Sequence, residues 1–186
     1  MKKETRFNHL NLFSMRYMDR KGREKSWIFA SRLDEPSALN GRAAVPDAVV
    51  VVPFHREKKK LVLIREFRVV LGDYQYGFPA GLVDKGEDII CAATRELKEE
   101  TGLTLVKTLK KSPPVYSSSG MTDESVSMVY VECQGEPSIA GNEDSEEIEV
   151  IMVSQEEARD LIETSGLKFD VKAWVVLSIF AELGRV

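Results

Sequence analysis

Hydrophobic and polar positions follow three different rhythms along the chain. From Leu10 to Ser31 they alternate, as in Leu10, Leu12, Ser14, Arg16 and then Trp27, Phe29, Ser31, with Asp19-Arg20-Lys21-Gly22 between. Period-two alternation predicts half-buried strands, and the polar cluster ending in glycine predicts the turn that joins them. An antiparallel hairpin standing alone is marginal in water, so this one needs a partner surface. Asp34-Glu35-Pro36-Ser37 through Gly41 reads as a polar linker. Beyond Pro46 the rhythm changes to unbroken apolar runs. Ala48–Val52 suits a buried central strand, and Leu61–Ile64 pairs with it across the charged turn Arg56–Lys60. Leu103–Leu109, Val126–Val131 and Ile148–Val153 read as further strands. Helical spacing marks the rest. Ile90, Ala93 and Leu97 form an i, i+3, i+7 stripe that ends at Thr101-Gly102, a helix stop with glycine suited to a left-handed cap. Ser154-x-x-Glu157 is a capping box that starts another helix. Asp170 caps a last helix, in which Ala173, Trp174, Val176, Leu177, Ile179 and Phe180 predict burial.

Composition narrows the class. At 186 residues and 43% hydrophobic content the chain makes one ordinary domain, or one with an appendage, and has enough apolar side chains for a sizeable core. Its net charge of −4 and dispersed basic residues argue against a nucleic-acid polymer as partner. The dense run Arg56-Glu57-Lys58-Lys59-Lys60 reads as a solvated turn. Cys91 and Cys133 are too few and too far apart for a disulfide scaffold or a zinc site. No apolar core follows the N-terminal lysines, and no apolar run reaches the roughly 18 residues of a membrane span, so the expectation is a cytoplasmic protein with no membrane partner.

The chemistry concentrates in one segment, GLVDKGEDIICAATRELKEETGL, from Gly81 to Leu103. On a helix Glu96 and Glu100 stand one above the other with Glu99 beside them, so three carboxylates share a face. Each like-charged pair costs roughly 0.2–0.5 kcal/mol, and the helix C-terminus already disfavours anions. An ordinary solvated face would tolerate this. The flanking features favour a site: Gly81 and Gly86 bracket a close backbone approach, and the apolar stripe docks the helix beside its acidic side. Mg²⁺ is held by a few carboxylates together with waters and substrate phosphates, which makes a Mg²⁺ site acting on phosphate the expectation.

This segment resembles the Nudix box, G-x5-E-x7-R-E-U-x-E-E-x-G-U with U aliphatic, met by Gly81, Glu87, Arg95, Glu96, Leu97, Glu99, Glu100, Gly102 and Leu103. The resemblance implies an α/β fold, the Nudix α/β/α sandwich with a mixed sheet, carrying here a small N-terminal antiparallel β-sheet domain at residues 1–43 before the hydrolase domain at 44–186. It further implies Mg²⁺-dependent hydrolysis of a nucleoside diphosphate linked to another group, with Mn²⁺ able to substitute. Glu96, Glu99 and Glu100 would bind metal, and Glu87 and Arg95 would hold loop and helix together.

Ile64–Arg68 (IREFR), Phe78–Gly81 (FPAG), the stretch Arg16–Trp27 and the acidic Glu146–Val150 are similar to the ADP-ribose and ADP-sugar pyrophosphatases within that family. These are homodimers whose N-terminal sheet reaches the partner's site. The resemblance assigns substrate binding to Trp27, Arg32, Arg68 and Glu124, a metal-binding backbone carbonyl to Ala80, and a catalytic or metal-binding role to Glu146, with Glu143 as the alternative base. Glu100 is counted among both the catalytic residues and the metal ligands. Each assignment has an ordinary rival: Trp27 as interface packing, Arg68 as a surface arginine, the acidic loop as a solvated turn. Two departures bear on the terminal sugar. The subfamily's E-x-P-A-G is Gly77-Phe78-Pro79-Ala80-Gly81 here, and Ser117–Glu124 lacks the proline common in ADP-ribose enzymes. The implied reaction splits ADP-ribose into AMP and ribose 5-phosphate. GDP-mannose or another nucleotide sugar, a catalytically silent ligand sensor, and an interaction module using the N-terminal hairpin remain alternatives.

Overall fold

Alternation, apolar runs and helix caps each reappear as the element they predict. The computed structural model describes residues 1–36, 45–142 and 147–186. Along it come strands β1 (Lys2–Lys3), β2 (Asn11–Met18), β3 (Glu24–Ser31), β4 (Ala48–His55), β5 (Lys60–Arg68), β6 (Asp73–Gly77) and β7 (Ala80–Leu82). Helix α1 (Ile89–Thr101) follows, then β8 (Thr104–Lys111), β9 (Val115–Tyr116), β10 (Ser125–Gln134) and β11 (Ile148–Val153), and helices α2 (Gln155–Glu163) and α3 (Val171–Leu183). The fold is mixed α/β with a small three-stranded antiparallel sheet at its N-terminal end. Residues 1–47 with 114–126 make one compact unit, and 48–113 with 127–186 make another.

The first unit is built on the expected hairpin. Strands β2 and β3 pair antiparallel from Asn11↔Ser31 to Met18↔Glu24, and β1 adds to β2. Asp19 organises the turn: its Oδ1 accepts from the N–H groups of Lys21 at 2.8 Å and Arg23 at 3.0 Å, while Gly22 takes a φ of 71°. Phe13 and Phe29 are buried and stack with ring centres 5.8 Å apart. Alternation alone leaves this hairpin short of a packing surface, and residues 118–124 of the same chain supply part of it. The Ala30 N–H donates to the Met121 carbonyl at 2.8 Å, the buried Ser31 hydroxyl donates to the Asp123 carboxylate at 2.9 Å, and Ala30 forms a parallel bridge with Thr122.

In the second unit the strand order is β11-β5-β4-β10-β8, with β6 along β5 and β7 along β4. The continuous apolar character of β4 is explained by burial on both faces. Val49 and Val51 meet Ala92, Ala93 and Leu97 of α1, while Phe54, of the opposite parity, reaches the Phe180 ring of α3 at 6.1 Å. The charged turn lies where expected, between Phe54↔Leu61 and His55↔Lys60. Buried His55 fixes it: Nε2–H donates to the Gly135 carbonyl at 2.9 Å, and Nδ1 accepts the Lys58 N–H at 3.2 Å.

One expectation is corrected here. Helix α3 is buried on one side only: Ala173, Val176, Leu177 and Phe180 are inside, whereas Trp174, Val175 and Ile179 are each nearly half exposed. Its uniform apolarity erased the periodicity that distinguishes the two faces. Strands β6 and β7 also escaped the sequence reading, because Asp73–Gly77 is polar and Ala80–Leu82 is too short to show alternation.

The capping box of α2 is complete, with the Ser154 hydroxyl accepting the Glu157 N–H and the Glu157 carboxylate accepting the Ser154 N–H at 2.6 Å. That backbone bond first, and the Lys60 ammonium at 2.9 Å second, pull the Glu157 pKa from 4.5 to about 2. A folded-state value below the ordinary one gives a stabilisation fully present above pH 4.5 and lost as pH falls toward 2. In urea titrations, wild type should therefore lose stability across that window more steeply than Glu157→Gln, and Ser154→Ala should cost about 1 kcal/mol at neutral pH. Parallel pH curves for wild type and Glu157→Gln would contradict this.

Candidate active site

Two elements of the second unit, β7 and α1, bring the acidic segment together. Strand β7 is drawn against β4 through Ala80↔Val50 and Gly81↔Val49, and the Pro79 carbonyl just before it accepts the Val51 N–H at 2.8 Å. Helix α1 starts where the Asp88 side chain accepts the Ile90 N–H, and it stops at Gly102, whose φ of 70° places it in the left-handed region. Because Ala93 and Leu97 are fully buried, the adjoining face is carried down toward β7. Glu96 and Glu100 are thereby 7% and 5% exposed, and Glu99 stays half exposed at the rim.

Buried carboxylates need compensation. The Glu100 Oε2 accepts the Ala80 N–H at 3.2 Å. Arg95 serves the others. Its guanidinium donates to both oxygens of Glu87 at 3.1 and 3.0 Å, to Glu96 at 2.5 Å, to Glu99 at 3.2 Å and to the Leu82 carbonyl at 2.9 Å. The bond to Arg95 above all, and then the Asp84 N–H, hold the Glu87 carboxyl below its usual pKa, and Glu87 in turn does most to raise that of Arg95. So Glu87 and Arg95 tie the loop after β7 to α1, as the box pattern implies.

Gly81 sits so close to α1 that a Cβ there would lie 2.0 Å from Glu96 Oε1 and 2.2 Å from its carboxyl carbon. Absence of a side chain at this point leaves room for the Glu96 carboxylate. Ala80, Gly81, Leu82, Asp84, Arg95, Glu96, Glu99, Glu100 and Gly141 line a cleft of about 550 Å³. Among the described residues no group of three or more acidic, histidine or cysteine side chains is arranged to hold a metal ion. The donor set nevertheless suits a hard divalent ion, since Mg²⁺ takes few protein oxygens and keeps several waters. Glu96, Glu99, Glu100 and the Ala80 carbonyl are the residues that would hold such an ion.

Glu143 and Glu146 lie outside the described residues. In the first unit, the Trp27 indole N–H donates to the Gly120 carbonyl at 3.1 Å, leaving the ring about half exposed. Arg32 and Glu124, both expected to meet substrate, form an ion pair with each other at 2.8 Å. In the second unit, Arg68 ends β5 half exposed and bonds Glu66 at 2.8 Å. Asp84 and Gly141 were missed. Gly141 gives no signal in the sequence, because its role is an approach to the Glu99 backbone that only folding creates.

The residues from Ala80 to Gly102 thus build an acidic cleft between a glycine-opened strand and a capped glutamate helix. The chain belongs to the NUDIX domain family, which matches residues 45–175. An ADP-ribose pyrophosphatase of Saccharomyces cerevisiae is 31% identical over 164 residues, covering 84% of this chain and 70% of that protein. An ADP-ribose pyrophosphatase of Bacillus subtilis is 31% identical over 173 residues, covering 85% and 90%. Two further relatives are matched over 53% and 40% of their own lengths. Among solved structures, one titled as an ADP compounds hydrolase superposes with a TM-score of 0.69 at 26% identity, covering 100% of this chain and 94% of the other.

Proposed function

We propose that the protein hydrolyses the diphosphate bond of a nucleoside diphosphate sugar, with ADP-ribose as first substrate and AMP and ribose 5-phosphate as products. The observation that carries this reading is the convergence of Glu96, Glu99, Glu100 and the Ala80–Gly81 backbone on one cleft. The names of the yeast and Bacillus relatives support the substrate class. Glu96, Glu99, Glu100 and the Ala80 carbonyl would hold Mg²⁺, with Mn²⁺ as a substitute. The cation, when bound, neutralises diphosphate charge and lowers the pKa of water. The remaining work falls to side chains. Glu146, with Glu143 as the alternative, takes the proton of the attacking water. Arg68 offers a planar guanidinium to a phosphate or ribose oxygen. Trp27, its N–H already committed to Gly120, presents its ring face for stacking on the base. Arg95 and Glu87 keep the glutamates in register. The working form is a cytoplasmic homodimer.

The test is a panel of ADP-ribose, other ADP-sugars and GDP-mannose assayed with Mg²⁺, phosphate release being coupled to a phosphatase, with sedimentation of the same preparation. Hydrolysis of ADP-ribose ahead of GDP-mannose by a species of twice the chain mass is expected. No cleavage of ADP-ribose sinks the substrate assignment, and binding without turnover across the panel would reassign the protein as a ligand sensor.

A further inference from the structure

Two helices of the second unit pack against each other and meet water very differently. Helix α2 turns Glu156, Arg159, Asp160 and Glu163 outward, as a solvated helix does. Helix α3 packs Ala173, Val176, Leu177 and Phe180 inward, yet its outer side carries Val171, Trp174, Val175, Ile179 and Leu183, each between 47% and 58% exposed. Glu182 is the one exposed charged residue of α3. Nothing in the helix itself calls for this choice. Valine and isoleucine are stiff at χ1 and form helices less readily than alanine, lysine or glutamate, so exposed Val171, Val175 and Ile179 weaken an isolated helix rather than support it.

The five side chains leave roughly 500 Å² of mainly apolar surface in one stripe, a size at which exposed patches mark interaction sites. Two such stripes brought together would bury about 1,000 Å², enough for a specific contact between proteins. The order of residues fits a second copy of the same helix. Val171, Val175, Ile179 and Leu183 recur at every fourth position and form one ridge, which reads apolar from either end about residue 177. Turned antiparallel, the ridge sets Val171 against Leu183 and Val175 against Ile179 of the other copy, and Glu182 comes to the end where the other helix carries Lys172. A two-fold axis repeats each contact, so one patch serves both copies. Trp174 flanks the ridge with its ring half exposed, and tryptophan is among the residue types enriched as anchors of such contacts.

We propose that the outer side of α3 is the surface on which two copies of this chain pair, helix against helix and antiparallel. This rests on the homodimer stated under Proposed function and gives it a surface in the second unit. Helix α3 lies on the face of β4 opposite to α1, because Phe54 reaches Phe180 whereas Val49 and Val51 meet Ala93 and Leu97. Pairing through α3 therefore leaves the acidic cleft open.

The experiment is sedimentation over a micromolar concentration series for wild type and for the double variant Trp174→Glu/Ile179→Glu, with circular dichroism on both. Wild type should sediment at twice the chain mass. The double variant should sediment at the chain mass with its helical signal kept, the pairing being weakened at least a hundredfold. So that unfolding is not mistaken for lost contact, a second arm places Ser178→Cys, next to residue 177, in a Cys91→Ser background, with Glu156→Cys on α2 as control. Mild oxidation should link the Ser178→Cys chains in pairs and leave the control single, since a disulfide needs Cα atoms within about 7 Å. If the double variant loses its helical signal, this linkage decides. Wild type at the chain mass throughout overturns both the homodimer and this surface, and leaves the stripe to a different partner. A folded double variant that pairs as tightly as wild type overturns the α3 assignment alone, the homodimer then forming through another surface. Loss of pairing in the double variant with no Ser178→Cys linkage overturns the antiparallel arrangement.

Discussion

Glu100→Gln should leave a folded protein with almost no turnover. Glutamine has the shape of glutamate and keeps a side-chain carbonyl to accept the Ala80 N–H, now bonded at 3.2 Å, so the contact between β7 and α1 survives. What disappears is one negative charge from a side chain only 5% exposed, in the cleft proposed to hold a divalent ion against a diphosphate. In such low-exposure sites electrostatic contributions are large, and single preorganised groups are worth two to three orders of magnitude in rate. A fall in kcat of roughly 10³-fold is expected, or about 4 kcal/mol in the barrier. The measurement pairs ADP-ribose kinetics at saturating Mg²⁺ with circular dichroism and urea unfolding. Retained activity would remove Glu100 from the metal set.

Gly81→Ala is expected to damage activity by steric means alone. The added Cβ overlaps the Glu96 carboxylate, with 2.0, 2.2 and 2.5 Å to its three terminal atoms. Those atoms end a flexible side chain, so Glu96 can swing aside and the backbone need not move. Stability should change by less than about 1 kcal/mol, in keeping with substitutions that neither empty nor overfill a core. Catalysis should not be spared, because displacing a catalytic group by an ångström can cost about 10²-fold. Kinetics and urea unfolding on one preparation would separate the two effects. Full activity in Gly81→Ala would show that the present position of the Glu96 carboxylate is dispensable, whereas a collapse in stability would mean that the backbone rather than the side chain had yielded.

Residues whose structure is set by near neighbours were readable from sequence. The stripe Ile90, Ala93, Leu97 and the stop Gly102 are local to α1, so spacing alone placed the three glutamates on one face. The strand pair β4 and β5, joined by a short charged turn, was equally plain. What escaped depends on long-range pairing. Ser31 meets Asp123 across 92 positions, and no local pattern encodes that bond. Arg32 and Glu124 were read as substrate residues from the resemblance, and the ion pair that folding makes between them is a second long-range contact that no local pattern encodes. Gly141 carries no local signal, and only its approach to the Glu99 backbone of α1 gives it meaning.

The bonds from β3 to residues 120–124 also bear on how the chain can be cut. Residues 45–175, which the NUDIX domain spans, include that segment but leave out Trp27, Ser31 and Arg32, which grip it at Gly120, Asp123 and Glu124. A fragment trimmed to the domain's formal limits would keep every box residue and still lose three anchors of a segment that falls well inside those limits. Limits drawn from the family match therefore cut through the compact unit that residues 1–47 form with 114–126.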